Sequence, residues 1–189
     1  MEWEPLPTIH ATRVSLREIT AADLDALYLI FSDPEVMRYW STPPLASKAA
    51  AHDLLTEIQA GYKHRFLKWG IAFRSNDALL GTCTLFNLDI THRRAEIGYA
   101  LGRQYWRMGY AHEALQALLR HAFDELNLHR IEADVDPRNS ASIRTLERLG
   151  FQREGYLRER WQVGGEIQDA LFYGLLRPEW IPATNSHEG

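Results

Sequence analysis

The chain lacks most of the residues that would commit it to a simple reading. It has one cysteine, Cys83, so no internal disulfide can form and nothing points to an oxidising compartment. Cys83 lies in an apolar, strand-like run beside Thr82, Thr84 and Leu85, with no cation there to activate a thiolate, and reads as a buried, inert thiol. No Cys/His cluster has metal-ligand spacing and no glycine-rich loop ends in Gly-Lys-Ser or Gly-Lys-Thr, so neither a metal site nor P-loop chemistry is expected. No apolar run approaches the length of a membrane span. The acidic start Met1-Glu2-Trp3-Glu4-Pro5 is unlike a signal peptide, so a cytoplasmic protein without a membrane partner is expected. Positive charge is also short. Lys and Arg number 21 against 25 Asp and Glu, a net −4 that argues against a nucleic-acid partner; only the arginines around Arg144 and Arg148 speak for one.

What is present suffices for a single well-buried domain in 189 residues. Arg13 to Glu18 alternates as a strand, Thr20 with Asp23 begins a helix carrying Leu24, Leu27, Tyr28 and Phe31, and Asp33-Pro34 interrupts it. Ser47 caps a second helix predicted to run to about Tyr62. Strands follow over 68–74, 79–88 and 92–101, with Asn76-Asp77 as a hairpin turn. After a long helix come a strand through Ile131, Ala133 and Val135 and a short helix stopped by Gly150. Two last strands, about 156–163 and 167–176, join at Gly164-Gly165. This order predicts an α+β (mixed α/β) fold in which a crossover helix makes two neighbouring strands parallel. The expected organisation is an N-terminal extension over 1–9, one domain over 10–177 and a disordered tail over 178–189.

The most informative stretch is Trp106-Arg107-Met108-Gly109-Tyr110-Ala111. It follows the strand Ala95–Leu101 and opens into a helix whose Ala114, Leu115, Leu118, Leu119, Ala122 and Phe123 fall on one face. The first N–H groups of a helix have no internal partner and lie at the positive end of its dipole. A glycine there lets a ligand approach the backbone, so a phosphate-bearing ligand is expected.

With Asn139-Ser140-Ala141-Ser142 and Glu147-Arg148-Leu149-Gly150-Phe151 downstream, this turn resembles the GNAT N-acetyltransferases over roughly residues 10 to 177. Arg13-Val14-Ser15-Leu16-Arg17 and Asp33-Pro34-Glu35-Val36-Met37 resemble the branch of the RimJ/RimL-type ribosomal-protein alanine acetyltransferases. The resemblance implies a mostly antiparallel twisted sheet, with a central parallel pair splayed at the cofactor site and helices on both faces. It implies acetyl-CoA as acyl donor, with its pyrophosphate on the turn Trp106, Arg107, Met108, Gly109, Tyr110 and Ala111, aided by charge from Arg103 and Arg107. The pantetheine arm would pair with the backbone of Gly98, Tyr99, Ala100 and Leu101 and bond Asn139, while Arg148 approaches a phosphate.

Acetyl transfer to an amine needs a base, because an alkylammonium of pKa about 10 is no nucleophile. It also needs donors for a developing oxyanion, which the backbone around Gly98 to Ala100 can offer. Glu96 is the candidate base; the alternative is a solvated carboxylate paired with Arg93 or Arg94. Leu146 stands where many relatives carry a tyrosine acid, and Ser142 matches a serine proposed for that task, or else only bonds its own helix start. His112 reads as a solvated or phosphate-facing residue. Tyr39, Trp40, Trp69 and Trp161 are expected, with Glu96, around the amine acceptor, a small molecule or a peptide. A catalytically silent CoA-binding sensor or interaction module is the alternative to an enzyme, and the protein is expected as a monomer or homodimer.

Overall fold

The structure, a computed structural model, describes residues 6–61 and 66–181. Its strands are β1 (Ile9–His10), β2 (Val14–Arg17), β3 (Leu67–Phe73), β4 (Leu79–Asp89), β5 (Arg94–Leu101), β6 (Arg130–Val135), β7 (Gln152–Val163) and β8 (Glu166–Leu176). The helices are α1 (Leu24–Phe31), α2 (Pro34–Met37), α3 (Lys48–Ala60), α4 (Tyr110–Asp124) and α5 (Ser140–Arg148). The strands form one sheet in the order β1-β2-β3-β4-β5-β6-β8-β7, and every neighbouring pair is antiparallel except β5 and β6. That exception follows from α4, which carries the chain across the sheet and returns it in the same direction.

Helices cover both faces of the sheet, and each face has its own core. On one side Ala114, Leu115, Leu118, Leu119, Ala122 and Phe123 of α4, each 0% exposed, pack with Ile97, Ile131, Leu146 and Leu175. Each large side chain so buried contributes about 1.5–3 kcal/mol. On the other side Leu27, Ile30 and Phe31 of α1 meet Leu55 and Ile58 of α3 over Leu79 and Ala100. The fold class expected from the order of elements is the one observed. Cys83 is fully buried, and burial pushes its thiol well up, as an inert thiol requires.

The parallel pairing is short. Only Arg94–Arg130, Ala95–Ile131 and Glu96–Glu132 face each other. Beyond Glu96, β5 continues to Leu101 paired only with β4, and beyond Glu132, β6 continues to Val135 paired only with β8. The sheet therefore opens as a wedge in its middle, with Glu96 and Glu132 at the vertex.

Several expectations change. Strand β7 begins at Gln152, four residues before its predicted start, because Gln152 and Arg153 already pair with Gly174 and Tyr173. Leu6 is buried in the α4-side core and Pro7 accepts a bond from the Trp69 indole, so packing begins inside the predicted extension. Beyond Pro178 the chain is held through Trp180, whose ring packs on Phe123 while Glu179 accepts from Leu176 N and Gln152 Nε2. Residues 182–189, like Tyr62, lie outside the described residues; α3 is observed to Ala60.

Candidate active site

The turn ahead of α4, where a phosphate is expected, lacks the side-chain caps that open other helices. Helices α2, α3 and α5 each begin on a side chain that accepts from the first turn: Asp33 from Glu35 N at 2.9 Å, Ser47 from Ala50 N at 3.2 Å, Asn139 from Ser142 N at 3.1 Å. Helix α4 begins on Gly109, at φ 81°, which offers no side chain to its N–H groups. Arg107 is also left-handed, at φ 63°, so the turn is folded back on itself just ahead of the helix. The Trp106 indole fastens it to the strand by donating to Leu101 O at 2.8 Å, which commits a carbonyl expected to face the ligand. An alanine at 109 would be held where L-residues are strained; Gly109→Ala is expected to cost about 1–2 kcal/mol, read as a lowered thermal midpoint.

A second fastening comes from Arg13, a residue noted in the sequence only as part of a strand. Its Nε bonds Glu113 at 2.7 Å, its Nη1 donates to Met108 O at 3.1 Å, and its guanidinium lies 4.6 Å from the Tyr110 ring centroid. Glu113, in the first turn of α4, would repel an anion; Arg13 compensates that charge while leaving its own side chain half exposed. A depression of about 500 Å³ lined by Thr12, Arg13, Phe73, Arg74, Ser75 and Tyr110 opens beside the turn. Met108 is exposed, and Ala111 is half-buried one residue into the helix. His112 is half-buried nearby with its Nδ1 buried and unpartnered; burial, and then the charge of Arg148, lower its pKa. Arg148 itself is exposed and makes no ion pair among the described residues. Arg103 lies 3.6 Å from Asp33, so part of its expected charge is taken.

At the vertex the two carboxylates differ. Glu132 is bonded to Arg130 Nε at 2.7 Å and to Arg94 Nη1 at 3.2 Å. Glu96, its neighbour on the same rung, meets no arginine; Arg94 has turned to Glu132, and Arg93 to Asn127. The partner of Glu96 is a neutral amide, Asn87 Nδ2, at 2.7 Å. Asn87 reaches it because β4 bulges between Phe86 and Asp89, with Asn87 itself at φ 49°, a conformation asparagine tolerates. Neither Asn87 nor the arginine pairing was foreseen; the asparagine inside an otherwise apolar strand was the available signal.

Across the wedge, the Tyr99 hydroxyl of β5 lies 2.7 Å from Ser142 Oγ in the first turn of α5. The Ser142 hydroxyl therefore meets Tyr99, while its backbone N–H donates to the helix cap Asn139. Asn139 Oδ1 is committed to the cap, which leaves its Nδ2 for a ligand. On the face carrying Glu96, Trp161 is 39% exposed and bonds Asp134 at 3.2 Å. Tyr39 is half-buried beside the guanidinia of Arg38 and Arg138, and Trp40 packs edge-on against Phe31. Trp69 does not join them. It is 0% exposed within the α4-side core, its ring against His121, because its place in β3 turns it to that face. Among the described residues no group of side chains could hold a metal ion, and no helix is long and apolar enough to cross a membrane.

Comparison with known proteins agrees with this geometry. The acetyltransferase (GNAT) domain family matches residues 13–152. The uncharacterized N-acetyltransferase p20 of Bacillus licheniformis is 38% identical over 179 residues, covering 93% of this chain and 99% of its own. A GNAT-family acetyltransferase of Bacillus anthracis superposes with a TM-score of 0.82 at 28% identity, over 92% of this chain and 100% of its own. Mycobacterium smegmatis RimJ, in complex with CoA-disulfide, superposes with a TM-score of 0.82 at 26% identity, over 92% and 88%. A splayed sheet, an uncapped helix at its mouth and relatives matched almost end to end converge: the chain belongs to the GNAT acetyltransferase family and is an N-acetyltransferase.

Proposed function

We propose that acetyl-CoA binds in the wedge and that Glu96 removes a proton from a primary amine arriving on the opposite face of the sheet from α4. The observation that carries this reading is the vertex, where Glu132 is neutralised by two arginines and Glu96 is held only by an amide. Glu96 is the carboxylate of the pair that is not engaged by an arginine, and a general base needs a carboxylate oxygen within reach of the acceptor nitrogen. Acetyl-CoA supplies the thioester carbonyl that the amine attacks. The N–H groups from Arg107 to Ala111 hold its pyrophosphate, and those lining β5 from Gly98 to Ala100 pair with its arm and stand ready for negative charge developing on the carbonyl oxygen. Asn139 Nδ2 donates to the arm, Arg148 answers a phosphate, and Ser142 Oγ serves the departing sulfur.

The acceptor is the primary amine of a protein N-terminus or of a small molecule, approached past Tyr39, Trp40 and Trp161. Likeness to RimJ over nearly the whole chain supports the RimJ/RimL-like branch. The test is thiol release from acetyl-CoA with a panel of peptides bearing free N-termini and of small amines. Release with at least one amine is expected. A protein that binds CoA but releases no thiol with any of them defeats the proposed transfer.

A further inference from the structure

We infer that Tyr99 is a positioning residue for Ser142: its phenol donates to Ser142 Oγ and turns the serine's own O–H toward the wedge, where it is a hydrogen-bond donor to the leaving sulfur and not an acid. This rests on the reading that acetyl-CoA occupies the wedge. The geometry is specific. Tyr99 belongs to the part of β5 that has left β6 and pairs only with β4, and Ser142 to the helix that follows β6, so their 2.7 Å bond ties the two sides of the opening together. The same phenol lies 3.4 Å from Ser142 O, a longer and weaker acceptor for its one proton than Oγ at 2.7 Å. Thr145, one turn on, spends its proton on Ala141 O at 2.9 Å and so is no donor to the phenol. Of the two hydroxyls in the short bond the phenol is the stronger acid and the better donor. A serine that accepts there has its own proton left to place, and the wedge is the open direction.

Burial pushes the Tyr99 phenol up to about 12. Passing its proton through Ser142 to a thiolate whose thiol titrates near ~8.5 therefore runs uphill. The transfer balances without it. Of the two protons an ammonium acceptor loses, one goes to Glu96 before attack and the other passes to water as the tetrahedral intermediate becomes the amide. The electron pair of the C–S bond leaves on sulfur, and water protonates the thiolate once it is released.

The test needs no acceptor. CoA is bound to the protein and its thiol is titrated by thiolate ultraviolet absorbance; Cys83, pushed well up by burial, does not titrate with it. The bound thiol is expected to be more acidic than that of free CoA by roughly tenfold, the worth of one hydrogen bond to a charged group. Ser142→Ala should abolish that gain, Tyr99→Phe should remove most of it, and the double variant should lose no more than Ser142→Ala alone. A bound thiol in the unaltered protein no more acidic than free CoA overturns the inference, as does a Tyr99→Phe effect that adds independently to Ser142→Ala. Failure of CoA to bind at all would instead defeat the reading of the wedge.

Discussion

Replacing Glu96 by glutamine is expected to lower kcat by about 10²–10⁴-fold, the usual contribution of a general base, and to leave CoA affinity unchanged. Glutamine keeps the size of the side chain and can still bond Asn87, so the bulge in β4 and the vertex rung survive. What disappears is the capacity to take a proton from the ammonium form of the acceptor. The loss should shrink as pH rises toward the acceptor's own pKa, about 10 for an alkylamine, because the amine then arrives already neutral. Isothermal titration with CoA and steady-state rates across pH separate the two properties. Equal rates for Glu96→Gln and the unaltered protein at pH 7 would assign the proton elsewhere. A loss of rate matched by a loss of CoA affinity would make Glu96 a structural rather than a chemical group.

Arg17→Leu is expected to destabilise the fold by about 3–5 kcal/mol. Every N–H of this guanidinium is used. Nη1 and Nη2 bond Asp23 at 2.8 and 2.9 Å, Nε bonds Asp77 at 2.6 Å, and the remaining two protons go to Glu18 O and Asp77 O. One side chain thereby fixes β2, the start of α1 and the turn between β3 and β4. Asp23 is buried, and leucine would leave its carboxylate there without a counter-charge. The penalty should depend on pH. Burial alone would raise the Asp23 pKa, but the Arg17 guanidinium and the Thr20 N–H outweigh it and hold the carboxyl below its ordinary range. A group depressed in the folded state contributes stability above its unfolded pKa of about 3.9 and loses it as pH falls through the folded value. Urea midpoints for the two proteins should therefore lie far apart at neutral pH and converge in acid. A constant separation would mean that the lost stability is packing rather than charge.

The parts of the fold written in short-range pattern were legible in advance. The apolar stripe of α4 placed its buried face, the Gly164-Gly165 pair placed the β7–β8 turn with both glycines at positive φ, and Ser47 caps α3 as expected, whereas the caps Asp33 and Asn139 of α2 and α5 were not read as such. Pairings between distant segments were not. Arg13 meets Glu113 a hundred residues away, and Tyr99 meets Ser142 across the sheet opening; neither partner leaves a mark in the other's neighbourhood. Trp69 shows a different obstacle. In Leu67-Lys68-Trp69-Gly70-Ile71-Ala72 nearly every residue is buried, so alternation no longer tells which face a side chain takes, and the tryptophan lies in the core rather than near the acceptor. Glu96 was singled out from its strand position, but its arginine-free environment depends on which carboxylate Arg94 chooses.

The brevity of the β5–β6 pairing has a consequence for what this protein can recruit. Unpaired strand margins ordinarily invite other polypeptides, and proteins hide them at the periphery with charges, bulges or coverings. Here the margin lies in the interior of the sheet, between two strands that touch for three residues and are covered by α4 and α5 on one face. The backbone groups that the short pairing leaves without a strand partner are thus turned inward, and the 2.7 Å Tyr99–Ser142 contact spans the gap beside them. The same hydrogen-bonding groups that would make an outer strand sticky are, in this position, kept for the interior of the sheet.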